Sequence, residues 1–192
     1  MRSIAFVVFI LILVFSNSAH SLNYPTQVSV QGDTIKMTNG VVNLGMSMKW
    51  GGGVTEFSRI QNGTNGLNVL NQFDAGRNIQ QSFYGTDVVG TFHGNPWPFN
   101  PVQGGDKHNN QSGINDFDIG LDGEVYIRTV PLDWSLYNVK TPTVMEQWVK
   151  LYGDVAHIKY RFTYNGTKTH NARHQEMPAP YFIRYLKNLY YY

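Results

Sequence analysis

Apolar and polar residues alternate with a period of two along much of this chain. From Val42 to Trp50 every second residue is large and apolar, and the residues between them are mostly polar or small. The longest alternation runs from Val155 to Tyr164, where the even-numbered positions are apolar or aromatic. Because successive side chains of a strand point to opposite faces, this pattern predicts strands with one buried face each.

Turn residues separate these predicted strands. Dense Gly and Asn clusters lie at 51–53 and 61–66, and shorter turn signals lie at 121–124 and 153–154. A hairpin is predicted at Gly153-Asp154, between strands 145–152 and 155–164. No long segment has a helical period, and there is no repeat or charged linker. The chain is therefore predicted to be an all-β protein, with a single antiparallel β-sandwich domain over residues 22–192.

The N-terminus has the pattern of a secretory signal peptide. Arg2 precedes the apolar run Ile4 to Phe15, and Ala19 and Ser21 are the small residues that a signal peptidase recognises. The run is shorter than the roughly 20 residues that a membrane span needs. We predict a signal peptide over 1–21 and a secreted, extracellular mature chain. An uncleaved anchor is the alternative, and the small polar residues after the run disfavour it. No later segment could span a bilayer, so no membrane association is expected after cleavage.

Charge and cysteine content exclude several classes of function. The chain has 15 Lys and Arg and 13 Asp and Glu, and residues 1–21 carry only Arg2 among them. So small a net charge predicts no nucleic-acid partner and no basic membrane patch. There is no cysteine, which excludes disulfides and thiolate metal sites. Neither an HExxH motif nor a phosphate-binding loop is present, so we predict no metal and no cofactor.

Three sequons predict a glycoprotein. They begin at Asn62, Asn110 and Asn165, and each lies in a stretch rich in Gly or Asn that is typical of an exposed turn.

The candidate binding residues lie between 74 and 108. Residues 71–85 read NQFDAGRNIQQSFYG, and residues 93–113 contain three prolines around Trp97 and Phe99. We predict that 93–113 is an ordered loop without a regular strand that forms part of a site; disorder is the alternative. Aromatic faces stack on sugar rings, and amides, carboxylates and arginine bind hydroxyls. The predicted carbohydrate-binding residues are Arg77, Gln80, Tyr84, Trp97, Asn100, Gln103 and Asp106.

Structural roles are open for the same residues. Trp97 could equally belong to the core, and Arg77 could form an ion pair with Asp74 across the intervening glycine. His174 and Glu176 are the candidate catalytic residues, because side chains two apart on a strand share a face and could act as an acid/base pair. The alternative for both is a polar loop that leads into a strand.

Three motifs together resemble a known family. They are WGGGVTEFSRIQNGTNGLNVLNQFDAGRNIQQSFYG, NPWPFNPVQGGD and HQEMPAPYF, within residues 45–185. They resemble secreted proteins of the galactose-mutarotase-like β-supersandwich family. The resemblance implies a broad antiparallel sandwich and a carbohydrate ligand. Mutarotases use a histidine acid and a glutamate base, but His174 and Glu176 do not align with that pair by motif.

The predicted function is that of a secreted protein that binds or processes an oligo- or polysaccharide. A non-catalytic extracellular module for adhesion or matrix binding is one alternative. An inactive fragment of a larger enzyme is another, because family members are longer and the terminal run YFIRYLKNLYYY resembles a strand cut short. On that hypothesis the sandwich is incomplete at the C-terminus.

Overall fold

A computed structural model describes residues 9–14, 25–74 and 76–186, and these residues form antiparallel sheets without a helix. The all-β sandwich prediction is therefore confirmed. The strands are β1 (Phe9–Val14), β2 (Gln27–Gln31), β3 (Thr34–Thr38), β4 (Val42–Ser47), β5 (Gly53–Gln61), β6 (Thr64–Asn65), β7 (Ile79–Ser82), β8 (Val88–Phe92), β9 (Asn95–Pro98), β10 (Pro101–Val102), β11 (Asp116–Ile119), β12 (Val125–Thr129), β13 (Leu132–Asp133), β14 (Thr143–Tyr152), β15 (Val155–Tyr164) and β16 (Glu176–Pro180).

Two large sheets form the two layers of the sandwich. The five-stranded sheet has the order β1-β15-β14-β12-β11. The larger sheet has the order β13-β10-β7-β5-β4-β3-β2, with β16 beside β7 and β6 beside β5. Strands β8 and β9 form a separate two-stranded ribbon. The β14–β15 hairpin turns at Gly153, where φ is +56°. Its position confirms the predicted turn.

The core lies between the two sheets because each contributes one apolar face. Leu44 and Met46 of the larger sheet and Val149 and Ile158 of the five-stranded sheet are at most 1% exposed and belong to one apolar cluster. Each side chain of this kind contributes roughly 1.5–3 kcal/mol when it leaves water. This burial, with the sheet hydrogen bonds, stabilises a chain that has no disulfide.

The proline-rich segment 93–113 differs from its prediction, because it contains the regular strands β9 and β10. Strand β9 includes Pro96 and Pro98, and among the described strands it pairs with β8 alone. A strand with one unpaired edge tolerates proline, since the missing N–H donors face away from the partner. The prediction of an ordered segment is confirmed, and the prediction of a segment without strands is wrong.

The two ends of the chain are only partly described. Residues 9–14, within the predicted signal peptide, form β1 and pair with β15. The rest of 1–21 lies outside the described residues, as do the last six residues of the tyrosine-rich C-terminal run. In the described ranges, no helix has the length and apolar character needed to cross a bilayer.

Candidate functional site

Strand β7 separates the core from the candidate site. Ile79 is fully buried in the core, and Gln81 Nε2 donates to the Glu146 carbonyl of the opposite sheet at 3.1 Å. Side chains alternate along a strand, so Gln80 and Ser82 point to the outer face of the larger sheet.

Arg77 lies at the base of this outer face. Its Nε donates to Asp74 Oδ1 at 3.0 Å, and its Nη1 donates to the Asp106 carbonyl at 3.2 Å. The guanidinium carbon lies 4.8 Å from the centroid of Trp50 and 5.0 Å from that of Trp134. Only 2% of the residue is exposed. The Asp74 carboxylate and two cation–π contacts, each of about 2 kcal/mol when desolvated, offset the cost of burying this charge in part.

Two glycines allow this close packing around the arginine. A Cβ on Gly76 would lie 2.3 Å from Trp50 Cδ1, and the residue has a φ of +75°. A Cβ on Gly104 would lie 2.7 Å from Arg77 Cδ. The glycine between Asp74 and Arg77 is therefore required by its neighbour as well as by its backbone conformation.

The amides of the predicted site are buried and bonded within the protein. Asn100 Nδ2 donates to Ser82 Oγ at 3.0 Å, and Gln103 Nε2 donates to Gln147 Oε1 at 2.8 Å. Gln80 Oε1 accepts a backbone N–H at 3.0 Å. All three predicted residues are at most 3% exposed. Their polar groups join strands and turns beneath the site.

Asp106 organises the turn that follows β10. Its carboxylate accepts four hydrogen bonds, from the backbone N–H of His108, Asn110 and Asn138 and from the Asn110 side chain, at 2.7–3.0 Å. The residue is 0% exposed. Burial alone would raise the pKa of Asp106, but these hydrogen bonds outweigh it and the pKa is lowered.

Tyr84, Trp97 and Glu176 form the accessible part of the predicted site. Tyr84 Oη donates to Glu176 Oε2 at 3.3 Å, and the Tyr84 ring meets Trp97 edge to face at 6.2 Å between centroids. Trp97 Nε1 donates to Asn100 Oδ1 at 3.2 Å, which fixes the indole. Burial raises the pKa of Tyr84, and the Glu176 charge raises it further. All three residues keep part of their surface exposed.

An aromatic cluster connects this accessible part to Arg77. It consists of Tyr84, Trp97, Phe92, Trp134 and Trp50. The Phe92 ring centroid lies 5.0 Å from that of Trp97 and 6.0 Å from that of Trp134. Arg77 contacts both Trp134 and Trp50 and so joins these two members.

Tyr181 is a second phenol that the carboxylates of the site influence. Burial raises its pKa, and the charges of Glu176 and Asp74 raise it further. The residue is 41% exposed. The site therefore combines one buried cation with two carboxylates, two phenols and accessible aromatic surface.

The two candidate catalytic residues occupy different environments. Strand β16 begins at Glu176, so His174 lies in the loop before it and shares no strand with Glu176. His174 is exposed, whereas Glu176 is half-buried and bonded to Tyr84. The expectation that strand alternation aligns the two side chains does not hold for these positions.

Two residues of segment 170–176 attach this segment to residues 84–86, which follow β7. The Gln175 side chain makes two hydrogen bonds to the backbone of Tyr84. Its Oε1 accepts the Tyr84 N–H at 2.6 Å, and its Nε2 donates to the Tyr84 carbonyl at 2.9 Å. His170 Nδ1 accepts the Thr86 N–H at 3.2 Å. These contacts are not visible in the local sequence pattern, because about 90 residues separate the partners.

Among the residues that the structure describes, no three His, Asp or Glu side chains are grouped so that they could hold a metal ion. No protein-family model, curated protein or solved structure matches the chain. The resemblance to the galactose-mutarotase-like family therefore stays a prediction from the three motifs.

Proposed function

We propose that this protein binds carbohydrate on the surface around Tyr84, Trp97 and Glu176. One observation carries the proposal: Tyr84 donates a hydrogen bond to Glu176 and its ring also meets the Trp97 ring edge to face. An aromatic surface and an adjacent carboxylate are the groups that bind the C–H face and the hydroxyls of a sugar. The signal-peptide pattern supports an extracellular glycan as the ligand.

The buried residues support the site from below. Arg77, Gln80, Asn100, Gln103 and Asp106 have their polar groups bonded within the protein. In this proposal they position the loops that carry Tyr84 and Trp97, and the ligand contacts are made by the accessible residues. A rigid scaffold beneath a few exposed groups reduces the ordering cost of binding.

Carbohydrate processing is the second candidate function. The observation that favours it is the carboxylate of Glu176 within hydrogen-bond distance of a phenol. Such a pair can exchange a proton with a substrate hydroxyl, with Glu176 as the base. His174 is exposed in the preceding loop and would act only if that loop approached the substrate. Binding without turnover would instead identify a non-catalytic extracellular module.

A glycan-array screen of the protein in the form in which cells secrete it, followed by titration calorimetry on the best oligosaccharide, tests the proposal. We expect W97A to weaken binding at least tenfold, corresponding to about 1.4 kcal/mol. Y137A is the matched control, because Tyr137 is an exposed aromatic outside the cluster. An array without a hit, or equal affinities for W97A and the wild type, would reject the proposed site.

A product assay on the same oligosaccharide then tests the second candidate. If Glu176 is a catalytic base, E176Q loses turnover while it retains most of its affinity. Release of no product by the wild type would leave binding as the function and reject processing of that sugar.

A further inference from the structure

The outer face of the five-stranded sheet carries a second cleft. The inner-face residues Ile127, Val149 and Ile158 belong to the core, so the alternate residues of β12, β14 and β15 point outward. The surface around Tyr84, Trp97 and Glu176, called the Tyr84–Glu176 site below, is on the outer face of the larger sheet, where Glu176 is opposite Ser82. The cleft and the Tyr84–Glu176 site therefore lie on opposite faces of the sandwich. The cleft has a volume of about 390 Å³, and the residues that matter for its chemistry are Asp118, Glu124, Tyr126, Glu146, Trp148 and Arg161.

Strand register brings these side chains together in two rows. Tyr126 is directly opposite Trp148 on one row, with Asp118 beyond Tyr126. Glu146 is opposite Arg161 on the next row. The Tyr126 and Trp148 rings lie 5.2 Å apart, which places an aromatic pair at the centre of a polar face.

Glu146 fixes the geometry of the cleft. It is 6% exposed, and it accepts a bond from Tyr126 Oη at 2.7 Å and two from Arg161 at 2.5 Å each. Burial would raise the pKa of Glu146, but the bonds from Arg161 and Tyr126 outweigh it and the pKa is lowered. The bidentate pair therefore stays charged and holds the guanidinium in one orientation.

Several groups around this fixed centre remain available to a ligand. Over the described ranges, the Asp118 and Glu124 carboxylates accept no hydrogen bond, and Arg161 Nη1 donates none. Arg161 keeps 45% of its side chain exposed, and Trp148 is half-buried. The cleft thus offers two acceptors, one oriented donor and an aromatic surface.

We propose that this cleft is a second carbohydrate-binding site, specific for a neutral glycan chain. The free carboxylates of Asp118 and Glu124 match sugar hydroxyls and repel acidic polysaccharides. Arg161, which Glu146 holds 5.2 Å from the Trp148 ring centroid, would repel a cationic ligand, whereas Lys159 lies 4.9 Å from the same centroid without such a hold. Exposed Lys159 holds the ring only weakly, so a sugar can take its place.

The inference shares its ligand class with the proposed function but stands on different residues. Two sites on opposite faces can bind two chains, or one chain that wraps the molecule. Their combined avidity on an insoluble polysaccharide would exceed the affinity of either site alone. The second site therefore predicts a bivalent protein.

The test compares W148A and W97A with the wild type. Titration calorimetry would use the hexasaccharides of cellulose, laminarin, mannan and xylan, with polygalacturonate as an acidic control. Because W148A also removes the contact with Tyr126, the variant D118N/E124Q repeats the test on carboxylates that make no hydrogen bond to any described residue. We expect the wild type to show two binding sites. In both W148A and D118N/E124Q, binding at the cleft should be at least tenfold weaker, and binding at the Tyr84–Glu176 site should be retained.

The outcomes separate this inference from the proposed function. Loss in W148A and D118N/E124Q, but not in W97A, would support the cleft and reject the Tyr84–Glu176 site. Loss in W97A alone would reject the cleft and retain the proposed function, and loss in no variant would reject both. Polygalacturonate binding stronger than that of every neutral hexasaccharide would also overturn the inference. A change of oligomeric state in W148A by light scattering would assign the face to a second copy of the chain instead.

Discussion

Replacing Asp106 gives the sharpest test of whether a predicted site residue has a structural role or binds the ligand. The sequence predicts it as a sugar contact, and the structure places it at 0% exposure with four hydrogen bonds to its carboxylate. Its carbonyl also accepts from Arg77. The change D106A would leave four donors without their acceptor, in a turn that supports the base of the site.

The size of the effect follows from those bonds. Although single bonds to charged groups contribute roughly 1.5–3 kcal/mol, some freed donors will reach water, and we expect a loss of about 3–5 kcal/mol in the free energy of unfolding. In a domain of this size that corresponds to a Tm lower by roughly 6–20 °C. D116A is the control, because Asp116 is exposed on β11, and it should change stability by less than about 0.5 kcal/mol.

The contribution of Asp106 should also depend on pH. Its folded-state pKa lies below its ordinary value of 3.8. The stabilisation is therefore complete above that value and is lost as the pH falls through the folded-state pKa. Urea unfolding of wild type and D106N should show a constant difference near neutral pH and a shrinking difference below pH 3.8. Wild-type stability in D106A, combined with weaker glycan binding, would refute the structural role and restore Asp106 as a ligand contact.

Two further predictions concern single sites. When the protein is made in a eukaryotic secretory host, mass spectrometry should find glycans on exposed Asn62 and Asn165 but not on Asn110. The Asn110 amide already donates to the buried Asp106 carboxylate at 2.7 Å. Full glycan occupancy of Asn110 would contradict that hydrogen bond. Burial, followed by the neighbouring Glu146, raises the pKa of Tyr126 to about 12. The change E146Q should lower the pKa of Tyr126, which is measured from phenolate absorbance with Y126F as the reference. An unchanged or higher pKa in E146Q would contradict the hydrogen bond between Tyr126 and Glu146.

Local patterns predicted the strands well where alternation is strong. The predicted strand Val155–Tyr164 coincides with β15, and the Gly153 hairpin lies where the turn residues place it. Alternation is a property of neighbouring residues, so it is visible without any tertiary contact. Strand β9 was not predicted, because its prolines are tolerated only beside a single partner strand, and that pairing is not visible in the local pattern.

The candidate site was predictable in composition but not in arrangement. An amide that binds a sugar and one that binds a backbone carbonyl look alike in sequence, so the burial of Gln103 could not be foreseen. Arg77 lies between Trp50 and Trp134, 27 and 57 residues away, and Glu176 meets Tyr84 across 92 residues. These contacts depend on how the sheets associate, and their ligand-binding role stays a prediction.

The most direct test of carbohydrate binding around Tyr84, Trp97 and Glu176 is a crystal structure of the secreted protein with the best oligosaccharide from the array. We predict a sugar ring against Trp97, with a hydroxyl within hydrogen-bond distance of the Glu176 carboxylate. A saturated crystal with that surface accessible and no sugar on it would contradict carbohydrate binding there, wherever else on the molecule the ligand was found.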